Sequence, residues 1–166
     1  MKRLYTVRAA LGALALISFA AAAQQIGDAG GALQWTTRVE PGATRDDFTL
    51  VLEARIADGY IVYGSDFRAE LGPRPSRLRL DKEAPVRAEG ALTSVDTKRR
   101  TDKNLGTEYS YFEQRAQFRQ KLQRTAAGDT LTGRIEGQAC FEKDGTCTLF
   151  RQVFNLPLSA PPAAPR

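Results

Sequence analysis

The stretch that organises this chain is residues 137–150, which read Gly-Gln-Ala-Cys-Phe-Glu-Lys-Asp-Gly-Thr-Cys-Thr-Leu-Phe. It holds both cysteines of the sequence, Cys140 and Cys147, with six residues between them. Asp144-Gly145 lies in that interval, and such a dipeptide lets a chain reverse because glycine readily adopts a positive φ. We therefore predict a β-hairpin that brings the two sulfur atoms together.

Alternating apolar residues on both sides of this hairpin indicate a protein made of β-strands. The run at 48–56 places Phe48, Leu50 and Leu52 on one face and Glu53 on the other. Similar short runs occur at 33–39, 60–63, 76–80, 91–95, 116–122, 131–139 and 150–158. Turn signals separate these runs, so the pattern predicts an all-β, antiparallel β-sandwich. The strongly charged stretch 96–103 is predicted to be an exposed loop.

The N-terminal residues have the pattern of a secretory signal peptide. Lys2, Arg3 and Arg8 precede an almost unbroken apolar run, which three alanines end at Ala23. That run is too short to span a bilayer, which takes about 20 residues. We predict a cleaved signal peptide at 1–23, a flexible lead-in at 24–32, one folded domain at 33–158, a disordered Ala/Pro tail at 159–166 and a periplasmic location. The alternative is an uncleaved helix that tethers an assembly factor to the membrane.

Composition excludes several classes of function. The formal net charge is +5, but three positive charges lie in the predicted signal peptide, which leaves +2 on the mature domain. Without a basic stripe, we expect no nucleic-acid partner. The sequence contains no histidine, which excludes serine-histidine and cysteine-histidine catalysis. Two cysteines without histidine make a poor zinc site, so we predict no metal.

The cysteine spacing leaves two interpretations of the predicted disulfide open. Cys-x6-Cys is not the Cys-x2-Cys of a thioredoxin active site. As a structural staple, the bond would close a loop of about eight residues and contribute roughly 2.5 kcal/mol. As an exposed bond at a hairpin tip, it would have the properties of labile disulfides. Lys143 would favour a neighbouring thiolate, whereas Glu142 and Asp144 would disfavour one.

Three segments in order carry a resemblance to a known family: residues 58–63, Gly106 with the aromatic cluster after it, and Gly137 to Cys147 closing into Phe154. Together they resemble the N-terminal periplasmic domain of the thiol:disulfide interchange protein DsbD. The resemblance covers residues 33–158 and implies an immunoglobulin-like sandwich whose cysteines cycle between dithiol and disulfide without a metal or organic cofactor. It implies that a thioredoxin-like protein and a membrane thiol transporter supply electrons for periplasmic thiol proteins, including those of cytochrome c maturation.

The resemblance also assigns roles to the two cysteines. By position, Cys147 would form the mixed disulfide with partners and Cys140 would resolve it. The chain departs from the family pattern at the tip, which has six residues instead of five and continues with residues 148–150, Thr-Leu-Phe, instead of an aromatic-Pro-Pro run. Since the sequence contains neither a membrane section nor a thioredoxin-like domain, we expect the reductant to be a separate protein.

The family places a loop with a capping aromatic residue over the disulfide. By alignment this loop falls on residues 102–106, where this chain has Asn104 followed by Leu105. Leu105, Tyr109 and Tyr111 are therefore candidates to replace the missing aromatic residue. Tyr63 matches a family tyrosine beside the site.

These observations lead to one main hypothesis and one alternative of a different class. The main hypothesis is an exported thiol-disulfide exchange protein that uses Cys140 and Cys147. The alternative is a non-catalytic, immunoglobulin-like binding module in which the same disulfide is structural.

Overall fold

The computed structural model describes residues 31–68, 72–103 and 106–158. In these ranges it contains ten strands, and none of it forms a helix long and apolar enough to cross a membrane. The strands are β1 Leu33–Pro41, β2 Asp47–Ile56, β3 Tyr60–Tyr63, β4 Arg77–Leu80, β5 Val86–Ser94, β6 Lys98–Asp102, β7 Thr107–Glu113, β8 Arg115–Arg124, β9 Thr130–Phe141 and β10 Cys147–Pro157. The predicted signal peptide, residues 24–30 of the predicted lead-in, the predicted tail, Asn104 and Leu105 lie outside the described residues.

The strands form two antiparallel sheets. The first sheet has the order β1-β2-β8-β5. The second has the order β10-β9-β3-β7-β6, and β4 also pairs with β9. The buried faces of the two sheets pack against each other, which confirms the predicted all-β, immunoglobulin-like antiparallel sandwich.

Along the strands, every second side chain points into the space between the two sheets, and most of these side chains are apolar. We call this set the inner core. Trp35 of β1 is almost completely buried in it, with its ring centroid 6.3 Å from that of Phe118 and 5.4 Å from that of Phe150. Because Phe118 and Phe150 belong to different sheets, Trp35 links the two layers. Fully burying a large apolar side chain contributes roughly 1.5–3 kcal/mol, so this core is the main source of stability.

Two glycines of β9 allow aromatic rings of β10 to lie against the sheet. Gly133 is the register partner of Phe154, and Gly137 is that of Phe150. A Cβ atom at Gly137 would lie 2.7 Å from the Phe150 ring, which is closer than packed atoms approach. These positions therefore require glycine so that the hairpin formed by β9 and β10 can pack on the inner core.

The predicted loop at 96–103 is the clearest error of the sequence interpretation. Residues Lys98–Asp102 form β6, which pairs with β7 at the edge of the second sheet. The strand is mostly exposed on both faces, so it has no alternation of apolar and polar residues for a pattern to detect. Backbone pairing and ion pairs such as Lys98–Glu113 hold it in place.

Candidate functional site

The hairpin predicted around the two cysteines is present. β9 ends at Phe141 and β10 begins at Cys147. The Phe141 carbonyl accepts a hydrogen bond from the Gly145 N–H at 2.9 Å, and Gly145 has the positive φ of 74° that the turn requires. The Thr146 N–H donates to the Asp144 carboxylate at 2.8 Å and lowers the pKa of that carboxyl. The tip is therefore an ordered turn.

Cys140 and Cys147 are directly opposite each other in the ladder and form a disulfide, with their Cα atoms 4.0 Å apart. The Phe141 N–H donates to the Thr146 carbonyl, so the adjacent residue pair is the hydrogen-bonded one. In an antiparallel ladder hydrogen-bonded and non-hydrogen-bonded pairs alternate. The cysteines are therefore a non-hydrogen-bonded pair, which is the closer kind, and the backbone groups of Cys147 point away from β9.

The two sulfur-bearing residues differ strongly in exposure. Cys140 is only 4% exposed, whereas Cys147 is an exposed residue at the start of an edge strand. Both side chains lie on the outer face of the second sheet, since the neighbouring β9 residue Ala139 belongs to the inner core. The disulfide thus joins a solvent-accessible position to a buried one.

Cys140 is buried by a second apolar cluster on that outer face, which we call the outer cluster. It consists of Ile61, Tyr63, Tyr109, Tyr111 and Cys140, with Phe67 packed against it. The Tyr63 and Tyr109 rings meet edge to face with centroids 5.3 Å apart. Burial is the main cause that raises the pKa of Tyr63 to about 12. All three tyrosines named from the sequence are thus brought together beside Cys140.

Arg100 connects β6 to the cysteine hairpin across this cluster. It lies opposite Tyr109 in the ladder, and its guanidinium carbon is 4.8 Å from the ring centroid of Tyr111. Its Nη2 donates to the Glu142 carboxylate at 2.9 Å, and this hydrogen bond raises the pKa of Arg100. Glu142 lies two residues after Cys140. A cation over an aromatic ring and an exposed ion pair are each worth about 1 kcal/mol or less, so the connection can open readily.

Sequence reasoning missed Arg100 as a part of the site. The residue stands in the run Lys98-Arg99-Arg100, where nothing distinguishes one basic side chain from the next. Strand parity would have separated Arg100 from Arg99, which pairs instead with Asp66 and Glu108. That signal was unusable because the stretch was not recognised as a strand.

The described residues contain no group of three or more histidine, cysteine, aspartate or glutamate side chains arranged to hold a metal ion. What this part of the chain offers is a disulfide with one accessible sulfur, an aromatic cluster behind it, and a basic side chain stacked on that cluster. The chemistry available to such an arrangement is exchange of the disulfide with an external thiol.

The chain is similar to several known proteins. A model of the family described as "Thiol:disulfide interchange protein DsbD, N-terminal" matches residues 32–158. One similar crystal structure is that of the N-terminal periplasmic domain of ScsB from Proteus mirabilis. Its sequence is 19% identical to this chain, the TM-score is 0.56, and the match covers 79% of this chain and 49% of that one. The chain therefore spans about half the length of that domain, and at this identity the likeness shows the fold alone.

A second crystal structure is that of the Neisseria meningitidis DsbD N-terminal domain in the reduced form. It is 19% identical, with a TM-score of 0.47, and the match covers 73% of this chain and 84% of that one. A comparison with curated protein sequences found no match.

Proposed function

Because the chain belongs to the family of the DsbD N-terminal domain, we propose that it is a periplasmic thiol-disulfide exchange protein. It passes reducing equivalents between a thioredoxin-like or membrane-linked reductant and periplasmic thiol proteins through Cys140 and Cys147. The observation that carries the proposal is the unequal exposure of the two cysteines in one disulfide at a hairpin tip.

Cys147 is the residue that exchanges with partners, because it is exposed at the start of an edge strand whereas Cys140 is buried. In the oxidised domain a partner thiolate attacks the Cys147 sulfur, a new intermolecular disulfide forms, and Cys140 leaves as a thiolate. A second partner thiol then attacks the partner's sulfur of that mixed disulfide and releases the domain as a dithiol. In the reverse direction the Cys147 thiolate attacks a substrate disulfide and Cys140 resolves the product.

The outer cluster supports these different roles of Cys147 and Cys140. A thiolate at Cys140 would be surrounded by Ile61 and three tyrosine rings and would lack solvation, whereas water can solvate a thiolate at Cys147. Negative charge is therefore more stable on Cys147, which makes it the nucleophile towards substrates. Since exchange requires no electron acceptor besides sulfur, the proposal includes no metal or organic cofactor.

The tyrosines and Arg100 shield the buried side of the disulfide. Tyr109 and Tyr111 replace the family's capping aromatic, Tyr63 supports the site beside Cys140, and Arg100 covers the side of the cluster that faces the hairpin tip. Asn104 and Leu105 keep their predicted supporting role in this proposal.

Export by a signal peptide at residues 1–23 is part of the same proposal. Disulfide exchange requires a compartment in which thiols and disulfides interconvert, and the periplasm is one. The partners are thioredoxin-like proteins and a membrane thiol transporter, and cytochrome c maturation is a process that such electrons support.

A trapping experiment tests the assignment of roles. In the Cys140→Ser variant, the remaining thiol is first activated with an aromatic disulfide reagent. The activated variant is then mixed with a reduced thioredoxin-like protein that retains only its attacking cysteine. We expect a stable mixed disulfide through Cys147, identified by peptide mass spectrometry. Cys147→Ser, treated identically, should give little product because Cys140 is buried. Trapping through Cys140 alone would reverse the assignment.

The alternative is a binding module with a structural disulfide, and the packing of Cys140 within the outer cluster supports it. Thiol alkylation in intact cells separates the two functions. An exchange protein will show both dithiol and disulfide forms, with proportions that depend on its reductant. A disulfide that stays fully oxidised whatever the reductant supports the binding module.

A further inference from the structure

Strand β10 leaves one side of its backbone open. Among the described strands it pairs only with β9 and ends the second sheet. Because Cys147 belongs to a non-hydrogen-bonded pair with β9, the alternate residues Cys147, Leu149, Arg151 and Val153 direct their N–H and C=O groups away from β9. No proline occurs between Cys147 and Leu156, so each of these residues has an N–H group to donate.

This edge has less protection than the edges formed by β5 and β6. Edge strands usually carry charges or irregularities that prevent pairing with another chain. β6 carries Lys98, Arg99 and Arg100, and the pairing of β5 is interrupted between Glu89 and Thr93. In contrast, the large hydrophobic side chains that are exposed among the described residues are Leu149 and Val153 of β10, at 57% and 52%.

The exposed apolar residues and the exposed sulfur form one row. Cys147, Leu149, Arg151 and Val153 are spaced by two residues, so their side chains share the outer face of the sheet. An exposed apolar row beside open backbone groups is typical of a site for strand addition. Its continuity with Cys147 indicates that the added strand is the one that carries the reacting thiol.

We propose that β10 binds an extended segment of the partner protein as an additional antiparallel strand, with the partner's reactive cysteine opposite Cys147. The proposal rests on the proposed exchange function and identifies how the partner is recognised. Recognition then comes from main-chain hydrogen bonds with the outward groups of β10, while the side-chain row selects the sequence.

The geometry permits the covalent step. Outward-facing residues of β10 would form hydrogen-bonded pairs with the new strand, for which the Cα atoms lie about 5.5 Å apart. Disulfides span Cα distances of about 4.4–6.8 Å. The partner thiolate can thus bond to the Cys147 sulfur while the bond to Cys140 breaks and Cys140 takes the electron pair as a thiolate.

The side-chain row also predicts a partner sequence. In an antiparallel strand, the residue two positions before the cysteine faces Leu149, the one four positions before faces Arg151, and the one six positions before faces Val153. Cross-strand pairs favour apolar with apolar and acidic with basic residues. The segment expected to bind best therefore reads apolar-x-acidic-x-apolar-x-Cys.

Synthetic peptides test strand addition directly. The parent peptide is acetyl-Val-Thr-Glu-Thr-Val-Thr-Cys-amide, and the readout is the initial rate of its mixed disulfide with Cys147, measured by mass spectrometry after acid quenching. N-methylation of the second valine removes an N–H that faces β10 and should slow the reaction about 2- to 10-fold, as expected for one hydrogen bond. N-methylation of the preceding threonine removes an N–H that faces away and is the matched control.

A pair of protein variants provides a second arm. Leu149→Pro removes an outward N–H without removing a bond to β9, whereas Leu149→Ala removes a similar part of the side chain and keeps the N–H. We expect the ratio of the peptide rate to the dithiothreitol rate to fall further in Leu149→Pro than in Leu149→Ala. If Leu149→Pro fails to fold, the N-methylated peptides still test strand addition on the unmodified protein.

Equal slowing by both N-methylated peptides would overturn strand addition. A homodimer that Leu149→Pro dissociates, or a peptide rate that rises when residues 159–166 are deleted, would show that a second copy or the chain's own tail occupies β10. In these cases exchange with a thioredoxin-like protein persists, so the proposed function stands. A disulfide that neither peptides, dithiothreitol nor a thioredoxin-like protein reduces contradicts the proposed function itself.

Discussion

The inner core and the outer cluster lie on opposite faces of the same sheet and differ in almost every respect. The inner core joins two sheets through closely packed apolar side chains such as Trp35, Phe118 and Phe150. The outer cluster is small, rests on one sheet, and places tyrosines around a sulfur atom. The sheet backbone separates the two, so the outer face can change its covalent state without disturbing the packing that determines the fold.

The most severe test of this separation is Phe118→Ala. Phe118 is fully buried between Trp35 and Phe112, and removing such a ring costs roughly 3–5 kcal/mol. We expect a large loss in the free energy of unfolding, measured by denaturant titration, while the folded fraction keeps its rate of disulfide reduction by dithiothreitol. A changed rate in the folded protein would mean that the two clusters are coupled.

A pH titration examines the outer cluster alone. Burial raises the pKa of Tyr63 to about 12, so Tyr63 stays neutral in the folded protein at pH values where the unfolded chain ionises. This contribution to stability is complete below about pH 10 and is lost as the pH rises from about 10 to about 12, by up to about 2–3 kcal/mol at 1.4 kcal/mol per unit. Tyr63→Phe should show a shallower alkaline decline, and identical profiles for the two proteins would contradict the burial argument.

A smaller effect is expected from Tyr109→Leu. This change keeps an apolar side chain but removes ring contacts with Tyr63, Phe67 and Tyr111, and an aromatic pair is worth about 1 kcal/mol. The unfolding temperature should fall, but by less than the sum of three aromatic pairs because leucine keeps part of the apolar contact, while dithiothreitol should reduce the disulfide faster because Cys140 is less well covered. An unchanged reduction rate would show that Tyr109 does not shield the sulfur.

The smallest expected effect on stability is that of Arg100→Met. The ion pair with Glu142 is largely exposed, so its loss should cost less than about 1 kcal/mol. We expect instead a faster reaction of the disulfide with protein thiols, because the hairpin tip is no longer tied to β6. Arg99→Met is the matched control, since it removes the same charge from the neighbouring position and leaves the Glu142 contact intact. Equal rates for the two variants would exclude a special role for Arg100.

The sequence predicted what depends on local patterns. Alternation identified β2, β9 and β10, and Asp144-Gly145 identified the turn that pairs Cys140 with Cys147. It failed for β6, because a strand exposed on both faces has no periodic apolar signal. Within one strand, the alternation of residues showed which side chains face the inner core and which face outward. It did not show which outward-facing side chains of different strands would become neighbours.

The outer cluster arises from pairing between segments that are far apart in the chain. Tyr63 of β3 lies beside Tyr111 of β7, and Ile61 lies beside Cys140 of β9. No pattern within one strand encodes these neighbours, since they depend on the order of strands in the sheet. The burial of Cys140 and the exposure of Cys147 follow from that order, because β9 is an interior strand and β10 is an edge strand.

The place of the disulfide within the hairpin also determines how oxidation and folding depend on each other. Beyond the cysteine pair, residues 148–157 of β10 already pair with β9, and the bond closes a loop of about eight residues, worth roughly 2.5 kcal/mol. In a thermodynamic cycle, the free energy by which the disulfide stabilises the folded state equals the free energy by which folding stabilises the disulfide against reduction. For roughly 2.5 kcal/mol this corresponds to about 50 mV in the reduction potential. Loop closure thus sets only a small part of the reduction potential, and the folded environment of Cys140 in the outer cluster sets more of it.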